Sequence, residues 1–323
     1  MAIPSGLASR LVVLAESVYK TPVTVSRGFE FYTEGVKREP NQVDVGGLRN
    51  KLVIGSTRTE TVVRGAAGPI TMPITAKGMP FWWKQILGAS AVSGAGAAKT
   101  HLATLDASGG LGVSFTAQIQ RPEFDGTVIS HTYAGGKVKT AEINHAMNQE
   151  ARLTVDCDFA SEAFPSLVSP TYLADNGFFS HLRCAVTFGG TALFTKNVKI
   201  AIDKKLGAGE WGMGNSKLEP VPEEWLAITG ELQTNYDKDY YDKYLAGTQD
   251  ALVFTWTAAD DIPSSSPLEP FKLVATVPKA KFLNFDPNIG GPSRVNVTAP
   301  WACFDDYTNQ PISISQITTD TAA

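Results

Sequence analysis

An internal repeat is the feature that most constrains how this chain can fold. Two stretches, 48–88 and 206–247, share one order of parts: a polar loop with glycines, a short extended run and a brief aromatic helix. The helix patterns end at Gly88 and Gly247, which lie about half of the 323-residue length apart. A repeat with this spacing means that one structural unit occurs twice. We therefore expect two tandem units, residues 1–162 and 163–323, each long enough to bury its own core.

Strand patterns dominate both halves. Apolar and polar residues alternate strictly along 113–120, 152–159, 252–257 and 294–301. This period of two is typical of strands with one face on a core and the other on solvent or a polar lumen. The predicted fold class is therefore mainly β: two tandem β-sandwich or half-barrel units, each flanked by a short α-helix.

Two short helices are predicted at matching places in the repeat. Both have apolar or aromatic residues at helical spacing: Met79, Trp82, Trp83, Ile86 and Leu87 in the first, and Tyr240, Tyr241, Tyr244 and Leu245 in the second. Pro80 suits the first turn of one helix, and Asp237 is the expected N-cap of the other. Stripes of this kind are usually core, so each helix is expected to cover its own sheet.

Three segments are predicted to be loops. Two long connections, about 35–60 and 204–225, precede the helices, and an insertion rich in Ala, Gly and Ser follows the first helix at about 89–110. Unstructured loops longer than about 15 residues are usually functional or become ordered on a partner. The insertion is expected to be a flexible surface loop.

The charge balance argues against a nucleic-acid binder. The net charge is −4 and the pI is about 5.6, whereas phosphate neutralisation needs a clustered cationic surface. This composition is compatible with a surface along which nucleic acid slides without being bound. Cys157, Cys184 and Cys303 lack a C-x-x-C spacing, which indicates buried thiols in a reducing compartment. The apolar run 11–15 is too short for a secretory signal, and no membrane association is expected.

Motifs that could carry chemistry are weak. The string G-x-G-x-x-G at 207–212 is followed by Gly, Asn and two prolines, where a helix that receives a pyrophosphate cannot begin. The four histidines are scattered without metal-ligand or triad spacing. Asp156 and Asp158 share one strand face, as paired acids of a glycosidase could, but they are interpreted as charged surface. We predict that the chain is not an enzyme and has no catalytic, cofactor-binding or metal-ligating residues.

An ordered series of short segments resembles a known family. The segments are Leu14–Pro22, Gly47–Arg49, Arg64–Gly68, Thr75–Gly78, Ile86–Gly88, Thr229–Leu232, Tyr244–Thr248, Ile289–Pro292 and Ile317–Thr321. In this order they are similar to the major tail tube proteins of long, flexible-tailed (siphovirus-type) bacteriophages, especially those that infect actinobacteria. The resemblance covers nearly the whole chain.

The resemblance implies a structural virion protein with two tail-tube-like domains. Such proteins form rings that stack into a hollow tube around a tape-measure protein, and the tube later conducts DNA. The implied partners are other copies of the chain, the tape-measure protein, and the tail terminator and distal tail proteins; the implied location is the virion tail, assembled in the host cytoplasm. Family rings usually contain six one-domain subunits, so two copies per chain predict three chains in a pseudo-hexameric ring, with a six-chain ring as the alternative.

Two sets of residues are candidates for function. The polar strand faces predict a lumen that avoids cations, so that phosphates do not stick to it. The lumen candidates are Gln118, Gln120, Thr154, Asp156 and Asp158. The candidates for contacts between stacked rings lie in the two long loops: Arg49, Asn50, Leu52, Trp211 and Leu218.

Two other functions stay open. A tail terminator or baseplate-hub protein of the same fold would stop at a single ring, whereas a main tube subunit polymerises. A β-sandwich carbohydrate-binding module or hydrolase is the more distant alternative. It would show exposed aromatic residues on a sheet face, whereas most aromatic residues here occupy inferred core positions.

Overall fold

The structure is a computed structural model that describes residues 5–47, 52–106, 112–173, 177–207, 209–214, 216–265, 267–292 and 294–323. The described chain is mainly β, with two α-helices. All pairings between its strands are antiparallel, and nearly all strands belong to one extended sheet.

The elements follow one another in two series. The first series is β1 (Arg10–Ala15), β2 (Arg27–Phe29), β3 (Thr33–Glu34), β4 (Lys37–Asp44), β5 (Thr59–Pro73), α1 (Pro80–Leu87), β6 (Gly88–Ser93), β7 (Lys99–Leu105), β8 (Phe115–Pro122), β9 (Val128–Ala146), β10 (Arg152–Phe159) and β11 (Ser161–Ala163). The second is β12 (Cys184–Phe188), β13 (Thr191–Leu193), β14 (Thr195–Asp203), β15 (Trp211–Gly212), β16 (Ser216–Lys217), β17 (Ala227–Asn235), α2 (Lys238–Leu245), β18 (Asp250–Asp261), β19 (Pro270–Phe282), β20 (Asn296–Cys303) and β21 (Ser313–Thr318).

The same row of neighbouring strands occurs twice. In the first series the order across the sheet is β2–β1–β8–β9–β10–β5–β4. In the second it is β13–β12–β18–β19–β20–β17–β14, with each strand in the corresponding place. We refer to the first series with its row as the first unit, and to the second series with its row as the second unit. The repeated order of parts in the sequence therefore has a counterpart in the pairing of the strands.

A glycine at one position of each row fixes how the two units correspond. Gly230 of β17 lies opposite Trp301, and a Cβ atom there would lie 2.1 Å from the carbonyl oxygen of Lys199. Gly68 of β5 lies opposite Cys157, and its Cβ would lie 2.2 Å from the carbonyl oxygen of Gly35, between β3 and β4. Both positions exclude a side chain because a neighbouring backbone approaches too closely. Gly68 and Gly230 are therefore equivalent positions.

The two units join edge to edge. Residues 140–146 of β9 pair with 197–203 of β14, and we call this pairing the internal seam. It links β4, β5, β10, β9, β14, β17 and β20 into one sheet, which we call the continuous row. A second link pairs β21 with β7. One edge strand of the second unit is thus paired with the first unit inside a single chain.

Buried hydrogen bonds also hold the units together. The indole N–H of Trp256 donates to Nδ1 of His145 at 2.8 Å, and the indole N–H of Trp83 donates to Oε1 of Gln316 at 2.7 Å. Burial lowers the pKa of His145, which keeps its ring neutral and able to accept. Because these bonds cross between the units in the core, the two units are packed as a single body.

The two helices begin and end where the sequence predicts, but they are buried differently. Gly88 adopts φ +100° at the end of α1, a conformation that favours glycine, and Asp237 caps α2 by accepting from the Asp239 N–H at 2.9 Å. Almost all of α1 is buried. In α2 only Tyr240 is buried, and Leu245, predicted as core, is 64% exposed. That part of the predicted stripe was wrong because α2 lies against its sheet by one edge only.

All three predicted loops contain strands; in the connection 204–225 these are β15 and β16, of two residues each. The insertion forms the β6–β7 hairpin because β7 gains a second neighbour in β21; residues 107–110 of the predicted loop lie outside the described residues. The connection 35–60 contains β4, which pairs with β5. We call residues 37–67 the β4–β5 arm. Between Asp44 and Thr59 the structure describes residues 45–47 and 52–58, which we call the turn region of the arm. All eight residues of β4 are exposed, so the arm projects from the first unit.

Candidate functional site

The continuous row has one apolar face and one polar face. On the apolar face, Ile70, Val155, Ile143, Ile200 and Leu232 are buried in the core. The opposite side, which we call the polar sheet face, carries Thr71, Thr140, Glu142, Asn144, Arg152, Thr154, Asp156, Asn197, Lys199, Asp203, Thr229, Glu231, Gln233 and Thr298. Alternation along each strand produces this division, and the antiparallel register aligns it across the internal seam.

Three cations on the polar sheet face lie beside carboxylates. Lys199 Nζ is 2.7 Å from Glu142 Oε2 across the internal seam, and Lys139 Nζ is 3.1 Å from Asp156 Oδ2. Arg152 Nε is 2.7 Å from Glu150 Oε1. Pairing at these distances reduces the field that each cation presents to a passing anion. The polar sheet face is therefore a poor surface for holding phosphates.

Two lumen candidates, Thr154 and Asp156, lie on the polar sheet face. Thr154 Oγ1 lies 3.1 Å from Thr71 Oγ1 of the adjacent strand, and Asp156 is half-buried beside Lys139. The structure thus brings these two candidates together on one accessible surface.

Gln118 and Gln120 lie elsewhere, on β8, and both are buried. Gln118 Nε2 donates to the carbonyl oxygen of Ser166 at 3.2 Å, and Gln120 Nε2 donates to that of Val168 at 2.6 Å. The chain that connects the two units therefore covers this polar strand face. In this arrangement the two glutamines fix the connection and present no side chain to a channel, which the alternation alone could not indicate.

Asp158 shares its strand face with Asp156 but is buried by the connection 204–225. Lys217 Nζ lies 2.5 Å from Asp158 Oδ2, and both side chains are less than a tenth exposed. Lys137 Nζ lies 2.5 Å from Glu219 Oε1, and Lys20 Nζ donates to the carbonyl oxygen of Lys217 at 3.0 Å. We call this group the loop anchor. It holds a loop of the second unit on the first unit.

The candidates for contacts between rings differ in exposure. Leu52, in the β4–β5 arm, is fully exposed, and Leu218 is 58% exposed. Trp211 is half-buried, with Lys217 Nζ 5.5 Å from its ring centroid. Arg49 and Asn50 lie outside the described residues. The arm has exposed apolar residues at Val43 of β4 and at Val45, Leu52, Val53 and Ile54 of its turn region.

Glu16 is a structural site that the sequence patterns did not single out. Its carboxylate is buried and accepts from Ser114 Oγ at 2.6 Å, Thr116 Oγ1 at 2.7 Å and the Gly135 N–H at 2.9 Å. The signal was slight, a single acid directly after the apolar run 11–15. Glu16 joins β1, β8 and β9 at the point where β9 stops pairing with β8 and begins to pair with β10.

Replacing Glu16 with alanine should lower the free energy of unfolding by about 2–4 kcal/mol, because several buried donors lose a charged acceptor. Urea unfolding followed by tryptophan fluorescence measures this change. Ser17→Ala, at the exposed neighbouring residue, is the matched control and should change it by less than about 0.5 kcal/mol. Equal effects of the two substitutions would contradict the assigned role.

Lys204 should make stability depend on pH. Its side chain is buried, and Nζ donates to the Gln85 carbonyl oxygen at 2.6 Å. Burial, together with the charge of Lys137, lowers the pKa of Lys204 from 10.5 to about 7. Between these values the unfolded chain binds more protons than the folded chain, so stability rises with pH.

Between pH 7 and pH 9 the unfolding free energy of the natural chain should therefore rise by about 2 kcal/mol relative to that of Lys204→Met. Urea unfolding of both chains at the two pH values measures the difference. Parallel pH profiles would contradict the account.

Among the described residues, no group of three or more His, Cys, Asp or Glu side chains is arranged to hold a metal ion. In the described part of the chain, neither helix has the length and apolar character that crossing a bilayer requires.

The described chain thus combines a repeated antiparallel row, an accessible polar face and exposed strand edges with which further strands could pair. The family model of the phage tail tube protein matches residues 6–303, and the chain belongs to this family. It is therefore a structural tail tube protein, a component of the virion tail that associates with itself into a tube. No curated protein matches the chain.

Proposed function

We propose that three copies of this chain close a ring in which each copy fills two adjacent positions. The observation that carries the proposal is that the strand row occurs twice and that the two rows are joined through the internal seam. Each row then corresponds to one tail-tube-like domain, the first within 1–162 and the second within 163–323. A head-to-tail contact that closes by rotation gives a ring, and closure satisfies the strand edges.

The proposed channel wall is the polar sheet face. The helix α1 and the core strands pack on the apolar face of the continuous row. If the row curves into a ring with α1 and the core strands on the outside, the polar sheet face lines the inside. Three continuous rows of seven strands each would form a barrel of 21 strands. Barrels of about 16 strands already enclose an aqueous channel. Thr154 and Asp156 are the lumen candidates that this arrangement supports.

The proposed channel lets DNA pass without holding it. The paired cations Lys139, Arg152 and Lys199 offer little attraction to phosphate, while Glu231 adds negative charge to the same surface. The rings would stack around a tape-measure protein in the host cytoplasm. Tail terminator and distal tail proteins would bind the two ends, in a tail of the long, flexible type.

The β4–β5 arm is the proposed contact between stacked rings. Its exposed apolar turn region, which includes Leu52 and Val53, has no covering residue in the described chain. A contact that covers several such side chains gains hydrophobic free energy. Leu218 is the second candidate, because the loop anchor fixes its loop and leaves this side chain exposed.

Negative-stain microscopy of the purified chain tests the proposed function. Long tubes are expected, whereas single rings would favour the tail terminator or baseplate-hub alternative, and lasting monomers would contradict assembly by this chain alone.

Deleting residues 41–55 should leave a folded chain that no longer forms tubes, because the turn region of the arm is removed. Circular dichroism checks that the variant is folded, and microscopy detects tubes. A matched control replaces Asn41 and Gln42 with serine and keeps the turn region. Normal tubes from the deletion variant would refute a stacking role for the arm.

A further inference from the structure

We propose that residues 33–39 of one copy pair with residues 283–290 of the next copy, and that this contact closes the ring. The inference rests on the proposed function and identifies the surfaces that meet. It follows from the internal seam, where the edge of one unit already pairs with the other unit.

The edge formed by β3 and β4 corresponds to β14. Ile200 of β14 lies opposite Gly230, and Val36, between β3 and β4, lies opposite the equivalent Gly68. Both Val36 and Ile200 are buried. The strand β14 has a second neighbour, β9, on its outer edge. No strand in the described chain pairs with the outer edge of β3 and β4. An unpaired edge of this kind is a template for another strand.

Within one copy, side chains form hydrogen bonds with the backbone at the middle of this edge. The Val36 N–H donates to Glu34 Oε2 at 3.2 Å, and Arg121 donates to the Val36 carbonyl oxygen at 2.8 Å. Arg121 is also paired with Glu34 at 2.7 Å. These bonds satisfy the N–H and C=O groups of Val36 that face away from β5. A strand of the next copy must replace these bonds, and this requirement restrains pairing between free copies.

The second unit lacks the strand that would continue its row. Val138 of β9 lies opposite Cys157, and Phe282 of β19 lies opposite the equivalent Trp301. Beyond these positions β9 continues to Ala146, whereas β19 ends at Phe282. The residues that correspond to 139–146 are therefore 283–290.

The residues 283–290 are suited to become that strand. Only residues 301–303 of β20 pair with β19, so the rest of that β20 edge has no paired strand among the described residues. Leu283 and Ile289 are 51% and 77% exposed, and the Leu283 N–H already donates to the Pro300 carbonyl oxygen at 2.8 Å. In the proposed contact, 283–290 would pair with β20 on one side and with the edge 33–39 of the next copy on the other. This arrangement would reproduce the order β10–β9–β14 of the internal seam.

Charge supports this pairing. The edge carries Lys37 and Arg38, and the internal seam used as a template places Asp286 near Lys37. Pro40 follows on this edge and Pro287 lies within 283–290; each proline lacks an N–H and removes one possible hydrogen bond, so the ladder is short. The number of paired residues is therefore limited, and the pairing brings opposite charges together.

Cross-linking in assembled tubes tests the proposal. Chains with Thr33→Cys and chains with Ile289→Cys are mixed, assembled, and treated with a short bifunctional thiol reagent. The expected product is a covalent dimer on a denaturing gel. Leu182→Cys, at a residue 80% exposed, replaces Ile289→Cys in the matched control and should give no dimer above the background of the unsubstituted chain.

A second pair, Lys37→Cys with Asp286→Cys, covers the case in which the first substitutions disturb folding, and circular dichroism checks each chain. Tubes of normal appearance without either cross-link would overturn the proposed contact and leave the proposed function standing. Equal cross-linking of the Leu182→Cys control would also overturn it. Failure of the unsubstituted chain to form any tube would instead contradict the proposed function.

Discussion

Asp158→Ala should destabilise the chain by about 3–5 kcal/mol, because it leaves the buried ammonium of Lys217 without its carboxylate. The two groups lie 2.5 Å apart, and each side chain is less than a tenth exposed. Burial raises the pKa of Asp158, and the bond to Lys217 opposes that rise. Removing one partner of such a pair costs far more than the pair contributes relative to an apolar substitute. Urea unfolding measures the loss.

Asp156→Ala is the matched control, because Asp156 lies two residues away on the same strand face. Its bond to Lys139 is longer, at 3.1 Å, and both side chains are about a third exposed. Exposed pairs contribute about 0–1 kcal/mol, so this change should be small. A double variant with Asp158→Ala and Lys217→Met should recover much of the loss, since no charge is left buried. A loss below about 1 kcal/mol for Asp158→Ala would contradict the loop anchor.

Arg38→Pro should raise the concentration needed for tube assembly by at least about ten-fold, which corresponds to about 1.4 kcal/mol for each closing contact. Alternation along β4 directs the Arg38 N–H away from β5, toward the proposed strand of the next copy. Proline removes this donor and places its ring on the edge. Sedimentation of tubes across a concentration series measures the threshold.

Arg38→Ala separates the edge from the side chain. Both substitutions remove the ion pair between Arg38 Nε and Glu162 Oε2, which are 2.7 Å apart, but alanine keeps the backbone N–H. The alanine variant should therefore assemble close to the natural threshold. If alanine and proline raise the threshold equally, the effect belongs to the ion pair and the proposed ladder is contradicted.

The sequence was sufficient to predict the mainly β fold and the places of both helices. Alternation identifies strands because each has one buried face, and the glycines that end the helices mark the repeat. The same reasoning predicted loops where β4, β6 and β7 form. Among the described residues β4 and β6 pair only with the next strand along the chain, whereas β7 is also stabilised by a partner distant in sequence. For β7 the partner is β21, more than two hundred residues away in the sequence.

The candidate site was less predictable for a related reason. Alternation shows that Gln118, Thr154 and Asp158 share a polar character, but not what lies over them. The connection between the units covers Gln118, the loop anchor covers Asp158, and Thr154 stays accessible. Accessibility depends on segments far away in the chain, so it required the structure.

In the proposed ring, one chain fills two adjacent positions and three chains close the circle. Cryo-electron microscopy of tubes assembled from the purified chain tests it most directly, because the symmetry of a ring gives the number of chains. We expect three-fold rings in which six similar strand rows alternate between first and second units. Rings of six chains, with only one unit of each chain in the barrel wall, would contradict it.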